Sequence, residues 1–126
     1  MEGRQIAVFA ARTAEEKRGR DIIIYDLRGV TDIADYFVLV TADSKAQIKA
    51  ILETIRKELK ASGTNKIGQE GNASGKWVLL DFGDVVIHVF AEELREYYSL
   101  ESLWGDAPKV NYAKEPEIVL QHKVTA

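Results

Sequence analysis

The segment from Lys76 to Phe90, K-W-V-L-L-D-F-G-D-V-V-I-H-V-F, limits the possible folds of this chain more than any other. Two apolar runs flank Gly83-Asp84, and a Gly-Asp corner suits a type II′ turn because glycine supplies the positive φ of its first position. The segment therefore predicts a β-hairpin. Side chains alternate along each strand, so one face is wholly apolar: Val78, Leu80, Phe82, Val85, Ile87 and Val89. The opposite face, or its rim, is where we look for function: Trp77, Leu79, Asp81, Val86, His88 and Phe90.

Length and composition fit one globular domain. The 126 residues are 46% hydrophobic and 29% charged, which is ordinary for such a domain. No apolar run approaches the ~20 residues of a membrane-spanning helix, and the amino terminus lacks the apolar core of a signal peptide. The absence of cysteine excludes disulfides and thiolate metal sites, and it fits a reducing compartment.

Periodicity along the chain predicts helices and strands in turn. A first helix is expected over residues 4–17, and β-branched runs predict strands over 21–27 and 36–40. Ser44 and Gln47 form a capping-box pattern before an amphipathic helix that Gly63 should end. The remaining expectations are a short strand over 65–67, a flexible loop over 68–75, and two helical turns or one kinked helix over 91–98 and 99–104.

Strands on either side of an amphipathic helix predict an α/β fold. We expect a mixed sheet of about five strands with flanking helices, in which the strand after the long helix runs parallel to the strand before it. The domain is expected to span residues 1–110, and residues 111–126 to form a C-terminal tail.

Charge is unevenly distributed. The net charge of −3 argues against a protein that works mainly by coating nucleic acid. Residues 81–106 hold seven acids against Arg95 alone. This stretch is either a solvated surface or a patch complementary to a basic partner, and its overlap with aromatic residues favours the partner.

The residues capable of chemistry do not form a known catalytic motif. Residues 71–76 have the wrong spacing for a phosphate-binding loop and precede a strand instead of a helix. His88 and His122 are the only histidines, so a zinc site would need distant carboxylates. Asp81 and Asp84 could be a magnesium pair, but three positions across a turn make their side chains diverge, and turn residues are the simpler interpretation. We therefore predict no catalytic residue, metal site or cofactor.

Large apolar groups crowd the region after the hairpin. They exceed what one short helix can bury, so part of the set belongs to the core and part is available to a partner. The set comprises Tyr97, Tyr98, Leu100, Leu103 and Trp104.

Three segments together resemble the ribosomal silencing factor family, the Iojap-related proteins. They are Asp35–Val40 ahead of Ser44, the hairpin, and the Y-x-L-E-x-L-W run from Tyr98 to Trp104. The resemblance covers roughly residues 4–110. It implies a small α/β domain that is similar to nucleotidyltransferases but lacks their catalytic residues.

The resemblance implies binding. Members dock on large-subunit ribosomal protein fourteen at the inter-subunit face of the large ribosomal subunit, and they block joining of the small subunit when nutrients are short. Carried onto this sequence, the partner-binding residues are Trp77, Asp81, Tyr98, Leu103 and Trp104. Organelle members of the family exist, but this chain begins almost at the domain without an Arg/Ser-rich extension, so a cytoplasmic location is expected. From the apolar runs and the net charge we expect no membrane and no primary contact with nucleic acid, and a homodimer of the free protein is left open. The alternative function is a nucleotidyltransferase-like enzyme.

Overall fold

A five-stranded mixed sheet forms the centre of the computed structural model, which describes residues 1–120 except the side chains of Tyr97, Tyr98 and Leu100. The strand order is β1-β2-β5-β4-β3, and only β2 and β5 are parallel neighbours. The strands are β1 Arg20–Asp26, β2 Tyr36–Thr41, β3 Gly68–Asn72, β4 Trp77–Asp81 and β5 Val85–Phe90. The helices are α1 Gly3–Glu16, α2 Lys45–Ala61, α3 Glu92–Tyr98 and α4 Leu100–Leu103. The prediction of a mixed α/β fold is confirmed.

The predicted hairpin is present with the predicted register. Val78 pairs with Val89 and Leu80 with Ile87, and the Phe82 amide donates to the Val85 carbonyl at 2.9 Å. Gly83 adopts φ +87°, the left-handed region that favours glycine. The apolar face packs with the buried residues of α1 and α2 in the main core of the domain.

Helix α2 begins and ends close to the predicted residues. Ser44 Oγ accepts from the Gln47 amide at 3.1 Å, but the Gln47 side chain accepts from the Asp43 amide at 2.6 Å, so the reciprocal bond lies one residue earlier than in a capping box. Gly63, at φ +92°, follows the last turn. No helix within residues 1–120 is long and apolar enough to cross a membrane.

The expectation of a strand over 65–67 and a loop over 68–75 is wrong. The strand is β3, and only residues 73–75 form a short 3-10 turn. Its sequence, G-Q-E-G-N, has no apolar alternation that would have predicted a strand. The strand forms because its backbone pairs with β4, and its side chains face solvent instead of a core. Since β3 runs opposite to β4, it has the same direction as β2, as predicted, but lies at the far edge of the sheet.

Residues after α4 return along β1 and α1. The Asp26 amide donates to the Pro108 carbonyl at 2.7 Å, and the Val110 amide donates to the Ile24 carbonyl at 2.9 Å. Further along, the Arg12 guanidinium donates to the carbonyls of Tyr112, Glu115 and Pro116. The predicted tail is thus described to residue 120, and residues 121–126 lie outside the described part.

Truncation at the centre of the main core should destabilise the domain strongly. Ile87 is fully buried, so we expect Ile87→Ala to lower the free energy of unfolding by about 2–5 kcal/mol. Ile67→Ala is the matched control, because Ile67 is largely exposed and the change should cost less than about 0.5 kcal/mol. Urea unfolding of both variants tests this, and equal midpoints would contradict the assignment of the apolar face.

Candidate partner-binding surface

The second face of the hairpin is covered at its centre, so of the face and rim where function was expected, the face itself is largely closed. Val86, His88 and Phe90 of β5 are buried in a second core, on the opposite side of the sheet from the main core. Side chains from residues 92–107 cover it, because Leu94, Trp104 and Ala107 pack there against β2 and β5. Only the rim on β4 stays accessible, since Trp77, Leu79 and Asp81 are half-buried.

Trp77 begins β4 and lies at the edge of the second core. Its ring stacks on His88 with centroids 6.2 Å apart and an interplanar angle of 29°. Gly71 of β3 packs directly against it at φ +75°, where an added Cβ would lie 2.3 Å from the Trp77 carbonyl oxygen and 3.0 Å from ring atom Cε3. A glycine is therefore required at position 71, and the indole is held from two sides while part of it faces solvent.

Leu103 and Trp104 are neighbours in sequence but face opposite surroundings. Leu103, the last residue of α4, is 67% exposed. Trp104 is half-buried and meets Phe37 edge to face, with centroids 5.8 Å apart at 81°. The Trp104 ring therefore anchors the end of α4 on the sheet, and this anchor presents Leu103 to solvent.

Asp81 and Tyr98 complete the set of predicted binding residues. Asp81 ends β4, at the opposite end of the strand from Trp77, and its carboxylate accepts from the Gly83 amide at 2.7 Å. Tyr98 is the last residue of α3, and its side chain lies outside the described part. The fold thus brings Trp77 and Trp104 into one cluster, places Leu103 beside it, and separates Asp81 from it.

His88 is a neutral side chain enclosed by aromatic rings. Phe37, Trp77 and Phe90 surround it at centroid distances of 5.1–6.2 Å. Burial disfavours the charged imidazolium and lowers the pKa of His88 to about 4. Neither ring nitrogen has a hydrogen-bond partner among the described residues. His88 therefore contributes to the second core as an aromatic side chain whose protonation opposes folding.

Arg95 holds α3 and α4 to the sheet, a role that sequence reasoning missed. The buried guanidinium donates to Thr41 Oγ1 of β2 at 2.9 Å and to Glu101 of α4 at 2.5 Å, and it lies 5.9 Å from the centre of the Phe90 ring. The sequence did indicate that Arg95 is unusual, because it is the only arginine or lysine in residues 81–106, which hold seven acidic residues.

Part of the acidic segment is neutralised within the chain. Glu93 pairs with Lys76 at 3.1 Å, Glu92 lies 3.7 Å from Arg20, and Glu101 pairs with Arg95. Glu96 and Asp106 are exposed and make no ion pair with any described residue. The free negative charge beside Leu103 is therefore smaller than the sequence count indicates.

The geometry also bears on the catalytic alternative. The Asp81 carboxylate turns back to the hairpin amide while Asp84 is exposed beyond the corner, so the two do not converge. Within residues 1–120, no three histidine, aspartate or glutamate side chains group as metal ligands would. At the start of α2 a cleft of about 160 Å³ is lined by Arg20 and Lys76, among others, but Asp43 and Glu93 already pair with these two cations.

Comparison with known proteins gives consistent matches along the chain. A protein-family model described as "Ribosomal silencing factor during starvation" matches residues 1–125. The "Ribosomal silencing factor RsfS" of Bacillus subtilis is 41% identical over 108 residues, which are 86% of this chain and 92% of that protein. A more distant mouse protein, "Mitochondrial assembly of ribosomal large subunit protein 1", is 33% identical over 92 residues, which are 71% of this chain and 40% of that protein.

A solved structure supports the fold. The crystal structure of a Chromobacterium violaceum protein matches with a TM-score of 0.78 at 40% sequence identity, covering 83% of this chain and 88% of that one.

Acid should destabilise the domain through His88. Its pKa is about 4 in the fold, against 6.5 when unfolded, so between these values the unfolded chain binds a proton that the folded chain excludes. The contribution of neutral His88 to the free energy of unfolding is fully present above pH 6.5. It falls by about 3 kcal/mol as the pH drops towards 4. We expect His88→Phe, which keeps an aromatic ring and removes the titration, to lose most of this dependence. Urea unfolding at pH 7 and pH 4.5 measures it, and an equal loss of stability in both proteins would contradict the assignment.

Proposed function

This chain belongs to the ribosomal silencing factor family, and we propose that it represses translation by docking on the large ribosomal subunit. A role in ribosomal silencing follows from the family itself. The finer proposal is that it binds large-subunit ribosomal protein fourteen at the inter-subunit face and sterically blocks joining of the small subunit when nutrients are short. A cytoplasmic location is part of this proposal. The observation that carries the docking site is the exposed Leu103 beside the anchored Trp104.

The surface around Leu103 has the composition of a protein-binding site. An aliphatic side chain that is 67% exposed gains free energy when a partner covers it, and the half-buried Trp77 adds aromatic area on the same side of the sheet. Because Trp104 and Arg95 hold α4 against the sheet, little conformational entropy is lost when the surface is covered. The docking site is therefore proposed at Trp77, Tyr98, Leu103 and Trp104, with Asp81 at its far limit.

The charge beside this surface supports a basic protein partner. Glu96 and Asp106 carry negative charge that no described residue pairs with. Such charges steer a basic protein towards the site and repel the phosphates of RNA, so nucleic acid is not proposed as the primary contact.

Binding, not catalysis, is the proposed activity. The carboxylates that would serve a nucleotidyltransferase-like reaction diverge at the hairpin corner, and the cations near the start of α2 are paired with acids of this chain. These features favour a regulator that acts by occupying a surface, and the family description supports the role in ribosomal silencing.

Truncating Leu103 should weaken binding without affecting the fold. We expect Leu103→Ala to lower the affinity for purified large subunits by roughly tenfold or more, because the contact is lost at an exposed anchor. The free energy of unfolding should change by less than about 0.5 kcal/mol. Val119→Ala is the matched control, since Val119 is 78% exposed and lines a cleft with Met1 and Ser62 near α1 and the end of α2. Co-sedimentation, a subunit-joining assay and thermal melts test this, and wild-type affinity in Leu103→Ala would refute the docking site.

Reversing an unpaired charge should slow association. Glu96→Lys is expected to reduce the association rate with large subunits several-fold at low salt and to flatten its salt dependence, because screening acts on electrostatic steering. Glu53→Lys on α2 is the control, as an exposed acid on another face of the domain. Stopped-flow measurements at two salt concentrations decide this, and equal rates for the two variants would show that the acids near α3 do not steer binding.

A further inference from the structure

A second apolar surface lies at the hairpin corner, away from Leu103. Val30, Ile33 and Ile67 are between 50% and 73% exposed, and all three belong to loops at the end of the sheet where β2 and β5 begin. We call these three residues the corner patch. Single exposed aliphatic residues are common, but three of them in the loops of one sheet end indicate a surface that a partner covers.

Backbone contacts join the loops that carry the corner patch. The Asp35 amide, two residues after Ile33, donates to the Asp84 carbonyl at 2.8 Å. On the other side of the corner, the Ile67 side chain packs on Gly83, where an added Cβ would lie 2.9 Å from Ile67 Cδ1. The Ile67 amide donates to the Asp81 carbonyl at 2.7 Å. The loops that carry the three residues therefore meet at the β4–β5 turn, with Val30 and Ile33 on one side of it and Ile67 on the other.

The loop between β1 and β2 presents its side chains from an ordered backbone. The amides of Val30 and Thr31 donate to the Leu27 carbonyl at 2.9 and 3.2 Å, and the Ile33 amide donates to Thr31 Oγ1 at 3.3 Å. These bonds satisfy the backbone while Val30 and Ile33 stay outside the core. A preformed apolar surface of this kind requires little ordering when a partner binds.

The charge around the corner patch is predominantly negative. Asp32, Asp35 and Asp84 are exposed and make no ion pair with any residue among 1–120. Of the nearby cations, Arg28 pairs with Asp26 at 2.7 Å. Lys66 donates to the neutral Gln69 side chain at 2.7 Å and so keeps one positive charge beside Ile67 against the three carboxylates. This excess of negative charge favours a partner that brings positive charge.

We propose that the corner patch is a second docking surface, which binds a basic protein segment of the large ribosomal subunit next to the protein that the Leu103 surface contacts. Apolar side chains of that segment cover Val30, Ile33 and Ile67, and its lysine or arginine residues meet the three carboxylates. RNA fits less well, since its phosphates would face three carboxylates with only Lys66 as a counter-charge. The inference rests on the proposed function and adds a separate contact to it.

Two double variants test the proposal with the full chain. Ile33→Ser/Ile67→Ser removes the apolar contact, and Asp32→Lys/Asp35→Lys reverses the charge. Val119→Ser and Glu53→Lys are the controls, because they change an exposed aliphatic residue and an exposed acid elsewhere. Each protein is bound to purified large subunits and, separately, to isolated large-subunit ribosomal protein fourteen. Thermal melts establish that the variants are folded, and analytical ultracentrifugation measures self-association.

We expect both double variants to bind large subunits roughly tenfold more weakly than the controls, and to bind isolated protein fourteen as the wild type does. Unchanged binding of the double variants to subunits would refute the proposed role of the corner patch and leave the proposed docking site at Leu103 intact. An equal loss on isolated protein fourteen would also overturn it, because a single interface would then explain both results. A loss of self-association with unchanged subunit binding would assign the patch to a second copy of this chain instead. A wild-type chain that fails to bind subunits at all would refute the proposed function, and with it the partner named here.

Discussion

The pairing of β4 with β5 is the interaction on which the rest of this structure depends. Val78 opposite Val89 and Leu80 opposite Ile87 commit one face of both strands to the main core. Because successive side chains point to opposite faces, the same pairing sends His88 and Phe90 to the other side of the sheet. One hairpin thus determines the composition of two cores, and β2 joins both through its parallel pairing with β5.

The second core is closed by a short and charged part of the chain. Its cover, residues 92–107, contains one seven-residue and one four-residue helix followed by the segment with Trp104 and Ala107, and neither helix is long enough to be stable alone. Arg95 stabilises these short helices through tertiary contacts, since it links Thr41 of β2 to Glu101 of α4 and lies over Phe90. The same closure makes Trp104 an anchor and leaves Leu103 outside, so the proposed docking surface is a consequence of how this core is sealed.

Both proposed contact surfaces use the same physical design. At α4 and at the hairpin corner, exposed aliphatic side chains are carried by backbone that is already hydrogen-bonded or packed, and unpaired carboxylates lie beside them. In the proposed function, rigid apolar groups supply the affinity, and the carboxylates favour a basic partner over nucleic acid.

The sequence by itself determined the hairpin with its register, the long amphipathic helix and the mixed α/β class, because strict alternation and 3.6-residue periodicity are local signals. It did not reveal β3, whose G-Q-E-G-N residues are held by backbone bonds to β4 and bury no apolar face. Nor did it show that His88 and Phe90 are covered, or which of Leu103 and Trp104 faces solvent. These outcomes depend on contacts between residues far apart in the chain, such as Arg95 with Thr41, and only the tertiary structure decides which of several apolar side chains the available core can bury.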